Sequence, residues 1–431
     1  MLKNSLGKRI ISAFVLLLLT LNFINIAAWM RTNFLNSKVQ SSYSSAIDWK
    51  KLYPFRNEPQ PSADPASAPA GQTGSLTKWR AKASEISGRE DNLEKNCTSQ
   101  VFAFHPLVEL NGFVTMKFGK VIFPNEDVFL LKNGYWAFTK DKTSSEETKQ
   151  TADHIAGLSQ YCSEAGIRFL YVQPPAKVSK YDPEIPDGAE NYENQNYDAL
   201  LGELQKLGIP ALDLRAQIDA ENLDHYSLFY RTDHHWKVES ALWACGEIAE
   251  RLNTIYSCGL DVTKTDKNLY RTKIYRDWFL GSAGRRVSLG CAKPEDFSIL
   301  LPNFKTALNI RVPNAEINKT GKFEDVIYNK QVLETKDYYN LSCYESQLYG
   351  NQPLTQIKNE ENPGGPKILV LGDSFSLAMV PYLSLTAGET DLIDFRQDQG
   401  NFSGSIQTYI DQMKPDVVLL AYEPGASYSL K

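Results

Sequence analysis

Lys367-Ile368-Leu369-Val370-Leu371-Gly372-Asp373-Ser374-Phe375 (KILVLGDSF) is the stretch on which the fold turns. Its apolar run is too short for a buried helix and stops at a glycine, so it reads as a strand covered on both faces. A helix is expected directly after it. A strand of this kind sits in a parallel sheet with helices on either side, and functional side chains gather at its carboxyl end. There the Ser374 hydroxyl lies at a helix N-terminus, where backbone N–H groups and the helix dipole favour a developing oxyanion. A strand-to-helix turn with Asp373 or Ser374 as helix cap fits the same residues.

Outward from this strand the same unit recurs. Residues 150–165 have helical periodicity, Gly166 stops them, and 168–172 (RFLYV) is a buried strand. Helix 199–207 leads to strand 209–214, and 238–252 is a helix. Strand 391–395, helix 406–413 and strand 416–421 (DVVLLA) follow near the end. The spacing predicts an α/β domain built on a parallel, doubly covered sheet. Residues 107–140 alternate apolar and polar, with Asn133-Gly134 between two apolar runs, and predict a β-rich N-terminal part with a hairpin. Residues 258–363 are less regular, with a weak strand at 308–312, and predict an insertion or lid.

The 431 residues allow up to about three domains or one large α/β domain with insertions. Charge is close to balanced, 46 Lys plus Arg against 51 Asp plus Glu, and is spread along the chain, which argues against a nucleic-acid partner. Lys3, Lys8 and Arg9 precede an uncharged run, 10–30, which as a helix spans about 31 Å, one bilayer core. We expect residues 1–30 to be a cytoplasmic stub and an uncleaved transmembrane anchor; cleavage near Ala28 is the alternative. The basic flank keeps the N-terminus cytoplasmic and puts the remainder outside the membrane. Residues 31–75, with the Pro-, Ala- and Ser-rich stretch 57–75, predict a flexible linker, and 76–431 the extracytoplasmic catalytic domain. Six cysteines allow fifteen disulfide connectivities; Cys162 and Cys245 lie in helical patterns and equally suit buried thiols.

A second constellation, Arg231-Thr232-Asp233-His234-His235-Trp236, stands directly before helix 238–252. In an extended stretch Asp233 and His235 project to one side, so Asp233 can accept from His235 Nδ1–H and leave Nε2 facing a serine. His234 would then point the other way. Helix capping by Asp233 with packed rings is the structural alternative. Asp-His-His also opens a manganese phosphoesterase signature, but the chain contains no Asp-x-Asp to complete it, so no metal and no cofactor are expected. Asp233, His235 and Ser374 together compose a serine-type triad. The Ser374 N–H and the loop residues Gly400 and Asn401 are the oxyanion candidates, the latter also fitting a plain turn.

RTDHHW before a helix and KILVLGDSF after a strand resemble the DHHW family and the related AlgJ/AlgX-like polysaccharide O-acetylation proteins of the SGNH hydrolase superfamily. Phe169-Leu170-Tyr171-Val172-Gln173-Pro174-Pro175-Ala176-Lys177, Phe279-Leu280-Gly281-Ser282 and Ile357-Lys358-Asn359 extend the resemblance, which spans roughly residues 100–431. It implies a flavodoxin-like sheet with permuted motif order, Asp and His ahead of Ser, and His235 as the catalytic histidine, with His234 in a variable position. It further implies an extracytoplasmic O-acyl, most simply O-acetyl, transferase acting on an exported or cell-wall polysaccharide through an acyl-serine. A membrane-bound O-acyltransferase would be its donor partner, because one apolar helix cannot pass an acyl group across a bilayer. A carbohydrate esterase with the same triad and a non-catalytic glycan-binding or assembly protein are the competing expectations.

Overall fold

The computed structural model describes residues 104–394 and 405–422. Helix α1 (Phe104–Lys117) leads into a small antiparallel sheet of β1 (Ile122–Phe123), β2 (Val128–Leu130) and β3 (Trp136–Phe138). The hairpin expected at Asn133-Gly134 joins β2 to β3, with Gly134 at φ +84°, a region that costs glycine little. Residues 107–117, expected as β material, are helical instead. Leu107, Leu110 and Val114 recur at three- and four-residue spacing, and the helix runs through Asn111-Gly112 to Lys117.

The expected helix–strand units follow. Helix α2 (Ser145–Glu164) starts with a reciprocal capping box between Ser144 and Glu147 and gives way at Gly166, φ +71°, to β4 (Arg168–Gln173). Next come α3 (Glu193–Lys206), β5 (Ala211–Asp213), α4 (Leu214–Ala220) and α5 (Val238–Tyr256). An antiparallel ribbon, β6 (Tyr270–Phe279) and β7 (Glu295–Pro302), encloses the short α6 (Ser282–Val287). Then β8 (Leu308–Val312), β9 (Ile317–Gly321), α7 (Phe323–Val326), α8 (Lys330–Glu334) and β10 (Leu354–Asn359) lead to the deciding strand β11 (Lys367–Gly372). Helix α9 (Ser376–Thr386), β12 (Glu389–Asp394), α10 (Ile406–Met413) and β13 (Val417–Ala421) complete the described chain.

The central sheet runs β5-β4-β13-β11-β12-β10-β8-β9. Its first five strands are parallel, as expected, but β10, β8 and β9 pair antiparallel, so the sheet is mixed. Residues 258–363 are therefore not a detached lid: three of their strands widen the sheet. Those strands read weakly because polar residues alternate with buried ones, as in Leu308, Ile310 and Val312 against Asn309 and Arg311.

Along β11, Ile368 and Val370 join the core layer under α5 and α9, while Leu369 and Leu371 join the layer under α2, α3 and α10. Strands β4 and β13 divide in the same way. Full burial of each such side chain contributes about 1.5–3 kcal/mol, so the sheet is fixed from both faces and cannot slip by one residue.

The anchor 10–30 and the linker 31–75 lie outside the described residues. Among the described residues no helix is long and apolar enough to cross a membrane. Cys162, Cys245, Cys258, Cys291 and Cys343 are free thiols, and Cys162 and Cys245 are buried inside their helices.

Candidate active site

Ser374 sits in the turn between β11 and α9. Gly372 is required there, because a Cβ on it would stand 2.1 Å from Ser376 Oγ and 3.0 Å from Ala421 O. Neither Asp373 nor Ser374 caps α9: the cap position is Phe375, with no side-chain hydrogen bond to the first turn. Asp373 Oδ1 accepts from the Phe375 N–H at 2.9 Å, which leaves the Ser374 hydroxyl for another partner. That partner is His235, whose Nε2 lies 2.8 Å from Ser374 Oγ. His235 Nδ1 lies 2.5 Å from Asp233 Oδ1, which also accepts from the His235 backbone N–H at 2.9 Å. With the carboxylate accepting at Nδ1, the neutral imidazole presents its Nε2 lone pair to the serine.

All three side chains are recessed, Asp233 2%, His235 8% and Ser374 9% exposed. Burial alone would raise the Asp233 carboxyl. The charges of His235 and His234, together with hydrogen bonds from His235 and from Ser282 N–H at 2.5 Å, outweigh that and hold it well below its ordinary value. Asp233 is thus kept as an anion that orients His235 without taking its proton.

The alternation argument for His234 fails. The segment is a tight turn, not a strand, and the Asp233 carboxylate draws the His235 backbone N–H round to itself. The two imidazoles therefore lie side by side, ring centres 3.8 Å apart, with His234 Nδ1 3.0 Å from Ser282 Oγ. Asp233, His234 and His235 bring ligand-type atoms within 4.8 Å of one another, the group among the described residues best placed for a metal ion. Those atoms are already committed, since both Asp233 oxygens accept N–H groups and His235 Nδ1 supplies one of them.

Several groups hold this arrangement. Lys177, 3% exposed, donates from Nζ to Tyr230 O and, at 2.9 Å, to Asp233 O, tying the loop after β4 to the triad loop. Burial drives its ammonium down to about 7 against the pull of Glu295 and Asp233. Glu295 accepts from the N–H groups of Arg231 and Thr232 at 2.8 and 2.7 Å and from Thr232 Oγ1 at 2.6 Å. Trp236 Nε1 donates to Phe375 O at 3.1 Å, joining the histidine loop to the serine turn. Tyr344 stacks on His235 at 4.1 Å and 15°. Asn359 Nδ2 donates to Ser384, Leu385 and Ala387 carbonyls, closing the C-terminal end of α9.

Lys177, Gly281-Ser282 and Asn359 were visible in the sequence only through resemblance, and their positions give them roles. Tyr344 and Glu295 carried no sequence signal, since each acts through a contact across the fold. Gly400 and Asn401 lie outside the described residues.

Residues 132–291 match the family model described as SGNH hydrolase-like domain, acetyltransferase AlgX. The match includes Asp233, His235 and Ser282 and ends before Ser374. Curated proteins yield no match. PatB1 of Bacillus cereus, solved with a sulfonyl adduct, is 19% identical over 71% of this chain and 98% of that chain, with a TM-score of 0.58. A DHHW family protein of Eubacterium siraeum is 15% identical over 68% of this chain and 89% of that chain, with a TM-score of 0.51. At those identities the likeness is one of fold. By its matched family model and by its fold, the chain resembles the SGNH hydrolase-like AlgX acetyltransferases and the DHHW family, as RTDHHW and GDSF imply.

Proposed function

We propose that the protein is an O-acetyltransferase that acts outside the cytoplasmic membrane on an exported or cell-wall polysaccharide through an acetyl-Ser374 intermediate. The observation that carries this reading is the unbroken hydrogen-bond chain from Asp233 through His235 to Ser374 at the carboxyl end of β11. In the first half-reaction Ser374 Oγ attacks the acetyl carbonyl as its proton passes to His235 Nε2, and His235 then protonates the departing donor group. In the second, a sugar hydroxyl gives its proton to His235 and attacks the acetyl-serine, and His235 returns the proton to Ser374. Asp233 stays ionised and steadies the imidazolium in both. The Ser374 N–H at the start of α9 is the first oxyanion donor in this scheme, and Gly400 or Asn401 the second.

The charge pattern of residues 1–30 supports an anchored protein with its site outside; the resemblance carried by RTDHHW and GDSF implies a membrane-bound O-acyltransferase as the source of its acetyl groups. Tethering would raise the local concentration of the site at that donor. With water in place of the sugar the same steps give an esterase, so the test must separate the two. The full chain is incubated with p-nitrophenyl acetate with and without an oligosaccharide acceptor, and the Ser374 peptide and the sugar are analysed by mass spectrometry. Acetyl on Ser374 and on the sugar is expected, both lost in Ser374→Ala. Acetyl-serine that turns over only to acetate would favour the esterase, and absence of any Ser374 adduct would refute the acyl-serine chemistry.

A further inference from the structure

A cavity of about 590 Å³, lined by no triad residue, opens between the first turns of α5, strand β7 and the segment before the triad loop. Its volume falls within the roughly 300–1,000 Å³ of small-ligand sites. The wall includes Trp243, Glu239, Lys237, Lys267, Asp296 and Ser298. Trp243 donates its Nε1–H to Glu221 Oε2 at 3.0 Å, which fixes the half-buried indole by its edge. Lys237 Nζ is anchored on Ser227 O at 2.9 Å. Glu239 Oε2 is buried and finds no hydrogen-bond donor, a costly condition that a ligand hydroxyl would relieve.

This lining selects a chemistry. A hydrocarbon ligand would leave Glu239 Oε2 without a donor, and a phosphate would meet three carboxylates, Glu239, Glu295 and Asp296, of which Glu295 already holds the Arg231 and Thr232 N–H groups and Asp296 is paired with Arg276. A sugar ring suits the set: its hydroxyls both donate and accept, and its C–H face can cover an indole. The position matters too. Glu295, on the same wall, is the carboxylate that holds the Arg231 and Thr232 N–H groups, so the cavity and the loop bearing Asp233 and His235 share one support.

We propose that this cavity is a glycan subsite that takes one hexopyranose unit of the acceptor chain, separate from Ser374. The proposal rests on the acetyl-transfer reading for its biological sense, while its test does not depend on that chemistry. Cellotetraose and chitotetraose are titrated against the full chain and followed by saturation-transfer NMR and tryptophan fluorescence. At least one sugar should bind to the parent chain and equally to Ser374→Ala. Affinity should fall about tenfold or more in Trp243→Ala, one aromatic contact, and several-fold in Glu239→Gln, with circular dichroism confirming that both are folded. Should Trp243→Ala not fold, Glu239→Gln carries the test. Binding of neither sugar, or equal binding in the cavity variants, overturns the proposal. Binding lost in Ser374→Ala would place the sugar at the triad and overturn it as well. Failure of the acetyl-transfer reading appears separately, as absence of an acetyl adduct on Ser374.

Discussion

Replacing Gly281 by alanine tests whether the corner after β6 sets the position of Asp233. Gly281 has φ −70° and ψ 174°, angles open to any residue, so alanine brings no backbone strain. The added methyl, however, would stand 2.3 Å from Asp233 Cβ, 2.5 Å from Thr232 O and 2.6 Å from Asp233 Cα. None of these is the far end of a flexible side chain, so relief requires the two loops to part by about 1 Å. Parting them lengthens the 2.5 Å hydrogen bond from Ser282 N–H to Asp233 Oδ2 and turns the carboxylate away from His235. Overpacking of this kind costs about 1–3 kcal/mol of stability, and a 1 Å displacement in a catalytic array costs about 100-fold in rate. Hydrolysis of p-nitrophenyl acetate by Gly281→Ala should therefore fall about 100-fold, with a modest drop in denaturant midpoint. Gly284→Ala is the control. Its methyl meets Leu280 Cδ1 at 2.8 Å and Thr232 Cβ at 2.9 Å but not Asp233, so it should lose similar stability and much less activity. If Gly281→Ala keeps more than half the parent rate, or Gly284→Ala loses as much as Gly281→Ala, the corner does not govern Asp233.

Ser374→Ala should reduce ester hydrolysis by about 1,000-fold or more, and retention of a tenth of the rate would sink its assignment as nucleophile. His235→Ala should lose as much as Ser374→Ala. His234→Ala, which removes a ring beside His235 and the contact with Ser282 Oγ, should lose only about tenfold. The reverse order would make His234 the base. Lys177→Met should change how stability depends on pH. The folded-state ammonium titrates at about 7 and the unfolded one near its ordinary value of 10.5, so between those values the unfolded chain binds the extra proton and the parent gains stability as pH rises. Below about pH 7 the full burial penalty is present. Urea melts should show the stability difference, parent minus Lys177→Met, growing by up to ~1.4 kcal/mol per pH unit from 7 towards 10, and a constant difference would remove Lys177 from the neutral range.

What could be read from the sequence divides along a physical line. Strands β4, β11 and β13 were legible because both faces are covered, so each residue in turn is apolar and the run stands out locally. Helix α10 was legible because its stripe and its cap, Ser405 accepting from Thr408 N–H, lie within one short segment. Strand β10 was not, since polar Thr355, Gln356 and Lys358 alternate with Ile357 in an antiparallel strand between β12 and β8. Asp233, His235 and Ser374 were legible as residues that could meet, and the fold brings them within hydrogen-bond distance, whereas the side on which His234 lies was not legible. The alternation rule presupposes an extended chain, and one carboxylate hydrogen bond was enough to bend it.

The same contrast bears on residues 258–363, expected as an insertion or lid. A lid closes over a site through few contacts and gives way easily. This region instead supplies Ser282 N–H to one Asp233 oxygen, Glu295 to the backbone of Arg231 and Thr232, and Tyr344 to the face of His235. It does so from a ribbon and a turn interleaved with strands of the central sheet. Asp233 and His235 stand on an irregular turn that has no ladder of its own, so their geometry must be borrowed from neighbours. Lys177 fixes the turn from the β4 side, the 258–363 region from the other, and Trp236 locks it to the carbonyl that follows Ser374. Order in the triad is therefore a property of the whole sheet edge, and substitutions far from Ser374 in sequence, at Gly281 above all, should act on it as strongly as changes beside it.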